Sequence, residues 1–266
     1  MNSSETKTSP WAQGVESIGL GLLGFINTIG GLVTLGLLVA RWTFRRPYRF
    51  YNLFIQLDFV GVGSIFIVGL TGLFSGMVFA HQTSRAFAVF GAESLVGPTV
   101  ALTVTRELAP VFSALMITMR AGSAMCTELG TMRVTEQIDA LETMAVNPTQ
   151  YLLVPRILAC LIMAPLLVLL FDGMGMAGAY FISVTVNGIS AGTFITRTQR
   201  WLNDVDFFEG MLKGAVFGLS VSLIACFKGF NASGGAKGVG QATTEAMVSS
   251  ALSIFILDYL IGILFH

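Results

Sequence analysis

The sequence predicts an all-α, polytopic membrane protein. Hydrophobic residues make up 54% of its 266 positions and charged residues 11%, against about 45–50% and about 25% in soluble domains. Thirty glycines exceed the usual share of about 7%, as expected where membrane helices pack closely. Most of the six apolar runs are long enough, or nearly so, to cross about 30 Å of hydrocarbon as a helix. These runs occupy residues 18–40, 59–80, 98–119, 157–186, 210–227 and 247–265.

The distribution of basic residues predicts how these runs are oriented. Four arginines lie between residues 41 and 49, directly after the first run, and such clusters favour the cytoplasmic side. Alternation then places the 81–97 and 187–209 loops outside and the 120–156 and 228–246 segments inside. The N-terminus is therefore expected in the cytoplasm and the C-terminus in the periplasm.

The first run has two interpretations. Small and polar residues recur along it at helical spacing, which favours a helix lying in the inner leaflet with Trp42 and Tyr48 near the headgroups. Its length would equally allow a full span. We expect residues 1–50 to form a cytoplasmic tail and an interfacial, or elbow, helix, and residues 51–266 to form one domain with five transmembrane helices. Residues 1–17 are polar and mixed in charge, so no cleaved signal peptide is expected.

A charged segment, residues 120–156, interrupts the apolar sequence. Within it Val134, Ile138, Leu141 and Ala145 recur on one face of a helix, and polar side chains occupy the opposite face. A short amphipathic helix at a membrane surface suits docking to a soluble partner, and an ordinary cytoplasmic connector is the alternative. The candidate docking residues are Glu128, Arg133, Glu136, Gln137, Asp139 and Glu142.

Three ionisable residues, Glu107, Lys213 and Asp258, interrupt the apolar runs. An ionisable group in hydrocarbon costs at least about 2.5–3.5 kcal/mol, so it is normally paired or functional. All three are expected in the outer half of the bilayer, where a common network is possible, and Arg106 lies beside Glu107 on another helix face. Such a network would lock the helix bundle or form a polar patch that meets a lipid headgroup, and the two roles are compatible.

Two sets of glycines at a spacing of four predict close helix packing. Gly210, Gly214 and Gly218 share one helix face, and Gly72 and Gly76 share another. Such faces let helix backbones touch, within the subunit or across a dimer.

The predicted outer loop at residues 81–97 and its approach are unusually apolar. Phe79, Phe87 and Phe90 would either extend the flanking helices or line an acyl-chain path toward the outside.

Catalytic and metal chemistry is not indicated. The two histidines, His81 and His266, form no HExxH motif or His/Cys cluster, and the three cysteines show no CxxC spacing, so no metal site is expected. The glycine-rich residues 234–240 lack the GK[ST] ending of a phosphate-binding loop. We therefore expect a non-enzymatic chain that binds no cofactor itself, with ATP and Mg²⁺ on a separate ATPase if transport is driven.

Three other classes of protein are alternatives to a driven transporter. A secondary transporter would use the buried carboxylates as ion sites, often within inverted repeats, and no internal repeat is evident. An intramembrane hydrolase needs a nucleophile and a base on facing helices, and the histidine inventory argues against it. A non-transporting assembly scaffold stays open.

The charged segment and its surroundings resemble the MlaE (YrbE) family of ABC-transporter permeases. The resemblance runs from about residue 50 to the C-terminus and is weaker before it, so it leaves the first run undecided. Ala109 stands where many relatives have glycine. The matching positions include Arg106-Glu107-Leu108-Ala109-Pro110, Arg120, Gly122, Glu128-x-Gly130-x-Met132, Glu136-Gln137-x-Asp139-Ala140-Leu141, Pro148, Pro155-Arg156, Ala242-Thr243-Thr244 and Asp258.

The resemblance implies a homodimeric permease in the Gram-negative inner membrane, with five transmembrane helices and an interfacial helix per subunit. Its implied partners are an MlaF-like ATPase, an MlaD-like periplasmic MCE hexamer and an MlaB-like STAS protein. The implied substrate is glycerophospholipid, moved between the inner and outer membranes to keep outer-membrane lipid asymmetric. The family's coupling helix, which sits in a groove of the ATPase, matches residues 131–147. The candidate lipid-cavity residues are Arg106, Glu107, Leu108, Lys213, Asp258, Phe79, Phe87 and Phe90.

Overall fold

The computed structural model describes residues 10–46 and 49–265, with side chains of the first helix from residue 26 onward. Over these residues the chain is helical and contains no β-strand. The predicted all-α class is confirmed.

Eight helical segments make up the described residues. Six of them, all but α4 and α6, are long and apolar enough to cross a membrane by length and composition, which confirms a polytopic membrane protein. Residues 26–43 of α1 meet these criteria together with the other five. The segments are α1 (Pro10–Thr43), α2 (Phe50–Ala88), α3 (Glu93–Val134), α4 (Gln137–Thr143), α5 (Thr149–Val186), α6 (Ala191–Trp201), α7 (Asp204–Phe230) and α8 (Gly235–Phe265).

The segments α2 and α3 extend far beyond the apolar runs that predict them. The expected outer loop at 81–97 is reduced to a short turn, because α2 continues to Ala88 and α3 begins with a 3₁₀ turn at Glu93. Gly91 in this turn has a φ of 62°, a left-handed conformation that glycine adopts without steric cost. At the other end of α3, the hydroxyls of Thr127 and Thr131 donate hydrogen bonds to backbone carbonyls four residues earlier. A polar sequence can therefore continue the helix.

Five π-helical turns interrupt these long segments. Each turn shifts the side chains that follow it around the helix axis, and such turns are frequent at functional sites. One of them, Val104–Leu108 in α3, carries Arg106 and Glu107. The others are Asp58–Val62 in α2, Thr118–Gly122 in α3, and Thr149–Leu153 and Ile182–Val186 in α5.

The segment α5 lies at the centre of the bundle and packs against α2 and α7. Its Phe171 is fully buried and stacks on Phe112 of α3 with ring centroids 6.2 Å apart. By contrast, much of α8 is exposed, with Leu252, Tyr259 and Leu264 among its exposed side chains. The core is therefore a column around α5, and α8 covers only one side of it.

The predicted close packing of the spaced glycines is confirmed within the subunit. A β-carbon at Gly72 would lie 2.9 Å from the Phe171 carbonyl oxygen of α5, and one at Gly218 would lie 2.8 Å from that of Cys160. A β-carbon at Gly210 would lie 2.6 Å from the Thr105 carbonyl oxygen of α3. Carbonyl oxygens of a packed helix cannot move aside easily, so these glycines set how closely α2 and α7 approach α5 and α3.

The replacement Gly76→Ala is expected to lower stability by about 1–3 kcal/mol, as overpacking of a filled core does. A β-carbon at Gly76 would overlap the backbone carbonyl of Gly175 in α5, whereas one at Gly173 would have no neighbour within 4 Å. Gly173→Ala is therefore the matched control. Thermal unfolding of the detergent-extracted chain should show a lower midpoint for Gly76→Ala only, and equal midpoints for the two variants would contradict this packing.

The connections gather at two opposite ends of the bundle. The α4 face comprises α4, the ends of α1, α3 and α7, and the starts of α2, α5 and α8. Gln150 Nε2 donates to the Arg45 carbonyl at 2.9 Å here, and the Arg133 guanidinium lies 6.0 Å from the Phe230 ring. The α6 face comprises α6, the ends of α2 and α5, and the starts of α3 and α7. There the rings of Tyr180 and Phe194 are 5.7 Å apart.

Candidate functional site

A buried lysine organises a cluster of carboxylates between α3, α7 and α8, which we call the Lys213 cluster. Lys213 is fully buried, and its Nζ lies 2.9 Å from Glu107 Oε1 of α3. The same Nζ lies 3.4 Å from Glu209 Oε1, one turn earlier on α7, and 3.4 Å from Asp258 Oδ1 of α8. The structure thus brings together the three ionisable residues that the sequence singles out, and adds Glu209.

A proline creates one of the lysine's acceptors. Lys213 Nζ also donates to the Arg106 carbonyl at 2.9 Å. In an α-helix that carbonyl would accept from residue 110, but Pro110 has no N–H to donate. The local sequence of α3 therefore leaves a carbonyl free to bind the ammonium group.

A second ion pair joins α3 to the start of α7 beside the cluster. Arg106 Nε donates to Asp206 Oδ1 at 2.7 Å, and Asp206 is almost completely buried. Its Oδ2 accepts from the Asn203 backbone N–H at 2.8 Å, and the Asn203 side chain accepts in return, which forms a capping box. Asp206 therefore caps α7 and holds Arg106 at once.

Acidic groups outnumber basic groups here. Lys213 faces Glu107, Glu209 and Asp258, and the Glu209 Oε1 and Asp258 Oδ1 atoms make no hydrogen bond among the described residues. The cluster is also open on one side, because the Glu107 side chain is 47% exposed while Glu209 is 3% exposed. Glu107 and Asp258 line a lateral pocket together with Tyr259, Gly262 and Ile263. The Lys213 cluster is thus held by ion pairs inside the bundle and is exposed at the bundle surface through Glu107.

Two members of this region lie outside the sequence-predicted network. The predicted loop at 187–209 would contain Asp206 and Glu209, and its C-terminal boundary is wrong, because α7 begins at Asp204 and buries both residues. The spacing of Glu209 and Lys213, four residues apart on a helix, is the signal that could have found one of them.

Asp172 is a further buried acid that the sequence reasoning missed. It lies in the middle of α5, is 3% exposed, and neither carboxylate oxygen makes a hydrogen bond among the described residues. The Thr105 hydroxyl of α3 is its polar neighbour. Thr105 precedes Arg106, so Asp172 lies on the inner side of the same π-helical turn that supplies the Lys213 cluster. Its position inside an apolar run was the available signal.

The apolar candidates for a lipid cavity occupy different surroundings. Phe79 and Leu108 line an open apolar pocket between α2 and α3, together with Phe74 and Phe112. Phe87 packs against the main core. Phe90 is 81% exposed in the turn between α2 and α3. The structure therefore brings Phe79 and Leu108 together in this pocket, whose wall contains neither Phe87 nor Phe90.

On the opposite end of the bundle, α4 lies on the surface, anchored by one fully buried side chain. Ile138 has no exposed surface and packs in a core cluster with Leu129 and Leu153, and Leu141 packs against it. The remaining side chains of α4 face outward. The helix is thus amphipathic, with its apolar side on the bundle and its polar side free.

The surface helix is shorter than the 131–147 segment. The segment α3 ends at Val134, Glu136 adopts a left-handed φ of 61°, and α4 runs only from Gln137 to Thr143. A Schellman motif ends the helix. The Ala145 N–H donates to the Glu142 carbonyl at 2.9 Å, and the Val146 N–H donates to the Leu141 carbonyl at 3.0 Å. Of the four residues predicted to share the apolar face, Val134 ends α3 and Ala145 lies past α4, so only Ile138 and Leu141 lie on α4.

The six candidate docking residues differ in how free they are. Glu128 Oε2 pairs with the buried Arg156 Nη2 at 2.9 Å, and Arg133 Nη1 pairs with Asp139 Oδ1 at 2.6 Å. The side chains of Glu136, Gln137 and Glu142 are exposed. Gln137 Nε2 donates to the Thr135 hydroxyl at 3.1 Å. The exposed acidic groups at both ends of α4 are therefore available to a basic partner surface.

Metal chemistry finds no support in the described part of the chain, where no group of three or more His, Cys, Asp or Glu side chains could hold a metal ion. The three cysteines are buried and unpaired. These observations leave a helical, multi-pass membrane protein with one buried charge cluster and one surface-lying amphipathic helix.

Comparison with known proteins identifies the family. The model of the family "Permease MlaE" matches residues 53–264, and the chain belongs to this family of permeases. It is 40% identical over 250 residues to a probable ABC transporter permease protein of Rickettsia bellii, covering 94% of this chain and 96% of that one. It is 34% identical to the intermembrane phospholipid transport system permease protein MlaE of Haemophilus influenzae, covering 93% and 95%. It is 38% identical to the chloroplastic protein TRIGALACTOSYLDIACYLGLYCEROL 1 of Arabidopsis thaliana, covering 90% and 67%.

Proposed function

We propose that this chain is the membrane subunit of an ATP-driven transporter that moves glycerophospholipids between the inner and outer membranes and thereby maintains outer-membrane lipid asymmetry. The Lys213 cluster carries this proposal. Glu107 and Asp258 open onto a lateral pocket with exposed apolar side chains of α8, so the charged groups can be reached from the side of the bundle. Polar groups beside an apolar, membrane-facing surface fit the two parts of a phospholipid.

The proposed role of α4 is to couple the chain to a separate ATPase. A rigid helix fixed by Ile138 and presenting acidic side chains can transmit a push to α3 and α5, which flank it directly in the chain. ATP-driven closure of two ATPase subunits would draw two copies of α4 together across a homodimer. A ligand shifts such an equilibrium only by its differential affinity for the two states, so ATP must favour the closed arrangement and lipid the open one.

The proposed setting is the bacterial inner membrane, with the α4 face in the cytoplasm and the α6 face toward the periplasm. Arg45 and Arg49 line a groove at the α4 face together with Gln150, and this placement follows the positive-inside tendency. In this orientation residues 1–50 supply a cytoplasmic tail and interfacial helix, and residues 51–266 form the five-helix permease domain. An MlaF-like ATPase with an MlaB-like protein would bind the α4 face, and an MlaD-like MCE hexamer would receive lipid on the other side.

The test is reconstitution of the chain with its partner ATPase and MCE protein in vesicles that contain labelled phospholipid. Lipid movement should require ATP. Glu107→Gln should slow it several-fold while the complex still assembles, because the variant removes the exposed charge of the Lys213 cluster and keeps its shape. Glu93→Gln is the matched control, since Glu93 is an exposed acid at the α6 face outside the cluster.

The same assay separates the rival classes of protein. Lipid movement driven by an ion gradient without the ATPase would identify a secondary transporter. Stable assembly without any ATP-dependent movement would identify a scaffold. Full transport by Glu107→Gln would leave the Lys213 cluster with a structural role only.

A further inference from the structure

A second polar pocket lies on the α4 face, far along the chain from the Lys213 cluster. It sits between the first turns of α2 and the start of α5, and we call it the α2–α5 pocket. Its wall includes Asn52, Gln56, Tyr151, Pro155 and Arg156, and it encloses about 180 Å³. A water molecule needs about 10–15 Å³ of such a volume, so the pocket has room for a group much larger than water.

Arg156 is an incompletely paired cation in the wall of this pocket. It is 3% exposed, and only its Nη2 is engaged, with Glu128. Among residues 26–46 and 49–265, whose side chains the structure describes, the buried Arg156 Nε and Nη1 groups and the buried Gln56 Oε1 across the pocket find no hydrogen-bond partner. Each buried, unpartnered polar group costs about 1–3 kcal/mol. The pocket therefore offers guanidinium donors suited to an anion's oxygens and an acceptor suited to a hydroxyl.

The rim of the pocket adds further positive charge. The Arg49 guanidinium lies 4.6 Å from the centre of the Tyr151 ring, and Arg49 makes no ion pair with an acidic group that the structure describes. Arg45 and Arg49 also line the adjoining groove between α1 and α5. An anion entering between α2 and α5 would thus meet cations at the mouth and at the bottom of the site.

The outer surface of α2 favours a lipid over a soluble anion. Phe50, Phe54 and Ile55 are exposed over about half or more of their surface, and Ile55 also belongs to the pocket wall. They lie in the first turns of a segment that is apolar enough to span the membrane. Acyl chains packed on this face would place a phosphate at the level of Arg49 and Arg156.

We propose that the α2–α5 pocket binds the headgroup of an anionic phospholipid, in the leaflet at the α4 face, as a tightly retained lipid distinct from the transported one. The phosphate bonds Arg156 and Arg49, and a headgroup hydroxyl, such as that of phosphatidylglycerol, donates to Gln56. The lipid joins α2 to α5 next to Glu128 of α3, whose chain neighbour Leu129 packs with Ile138 of α4. This inference does not depend on the proposed function, since a chain that transports nothing would still retain the lipid.

Native mass spectrometry of the full-length chain, delipidated in detergent and titrated with phosphatidylglycerol, tests the site. Arg156→Gln and Arg49→Gln should each weaken binding about tenfold, the change expected when one charge-assisted hydrogen bond is lost. Arg46→Gln is the matched control, because Arg46 is an exposed member of the same arginine cluster that lines neither cavity. Gln56→Leu should lower the preference for phosphatidylglycerol over phosphatidic acid, which lacks the headgroup hydroxyl.

Two further titrations identify the source of the anion. Phosphatidylethanolamine should bind more weakly than phosphatidylglycerol, and millimolar inorganic phosphate should not displace the lipid. Displacement by phosphate alone would show a soluble-anion site and overturn the lipid assignment. Equal losses in Arg49→Gln and Arg46→Gln would show nonspecific attraction to the arginine cluster, and that result would overturn the pocket itself. If Arg156→Gln fails to fold, Arg49→Gln and Gln56→Leu decide.

Discussion

Replacing Lys213 with methionine is expected to destabilise the bundle by about 3–5 kcal/mol, the range found when one partner of a buried ion pair is removed. Methionine has a similar length and fills the space, so the loss comes from charge and hydrogen bonding. Glu107, Glu209 and Asp258 would then share a buried region without their cation, and the Arg106 carbonyl would lose its donor. Thermal unfolding followed by size-exclusion chromatography of the detergent-extracted chain measures the effect.

A compensating variant separates the charge effect from simple loss of packing. Combining Lys213→Met with Glu209→Gln and Asp258→Asn should recover part of the stability, because fewer uncompensated carboxylates remain. Glu107→Gln alone should cost much less, since Lys213 keeps two carboxylate partners, Glu209 and Asp258. An unfolding midpoint for Lys213→Met equal to that of the wild-type chain would show that the cluster contributes nothing to stability.

The sequence could predict that Glu107, Lys213 and Asp258 matter because ionisable groups in hydrocarbon are too costly to be placed without purpose. It could not predict Asp206 and Glu209 by the same argument, since the apolar run begins at residue 210. The helix α7 begins earlier, at Asp204, because the capping box at Asn203 satisfies the first backbone donors of the helix. The capping box thus lets α7 begin several residues before its apolar run.

The length of α4 depends on features that hydrophobic periodicity does not reveal. Periodicity predicted an apolar face continuing from Val134 to Ala145, and it located Ile138 and Leu141 correctly on the buried side. It could not predict the break at Glu136, because left-handed φ values are uncommon for residues other than glycine, asparagine and aspartate.

Charge reversal at Glu136 is the sharpest test of the proposed coupling role of α4. Glu136→Lys should weaken association with the partner ATPase at least about a hundredfold, since a like-charge contact at an interface costs several kcal/mol. The permease itself should remain folded and inserted. The left-handed backbone at this position is equally unfavourable for lysine and for glutamate. The Glu136 side chain also makes no ion pair within the part of the chain that the structure describes, so the substitution breaks no such contact.

Two controls make the result of this charge reversal specific. Glu136→Gln removes the charge without reversing it and should have an intermediate effect. Asp139→Lys would also break the ion pair with Arg133, so its effect would not report on docking alone. Glu93→Lys makes the same charge change at the α6 face and should leave association intact. Co-purification with the ATPase and stimulation of its ATP hydrolysis are the two measurements. Ile138 holds α4 on the bundle in all these variants. Unchanged co-purification of Glu136→Lys would therefore contradict docking of the ATPase against Glu136.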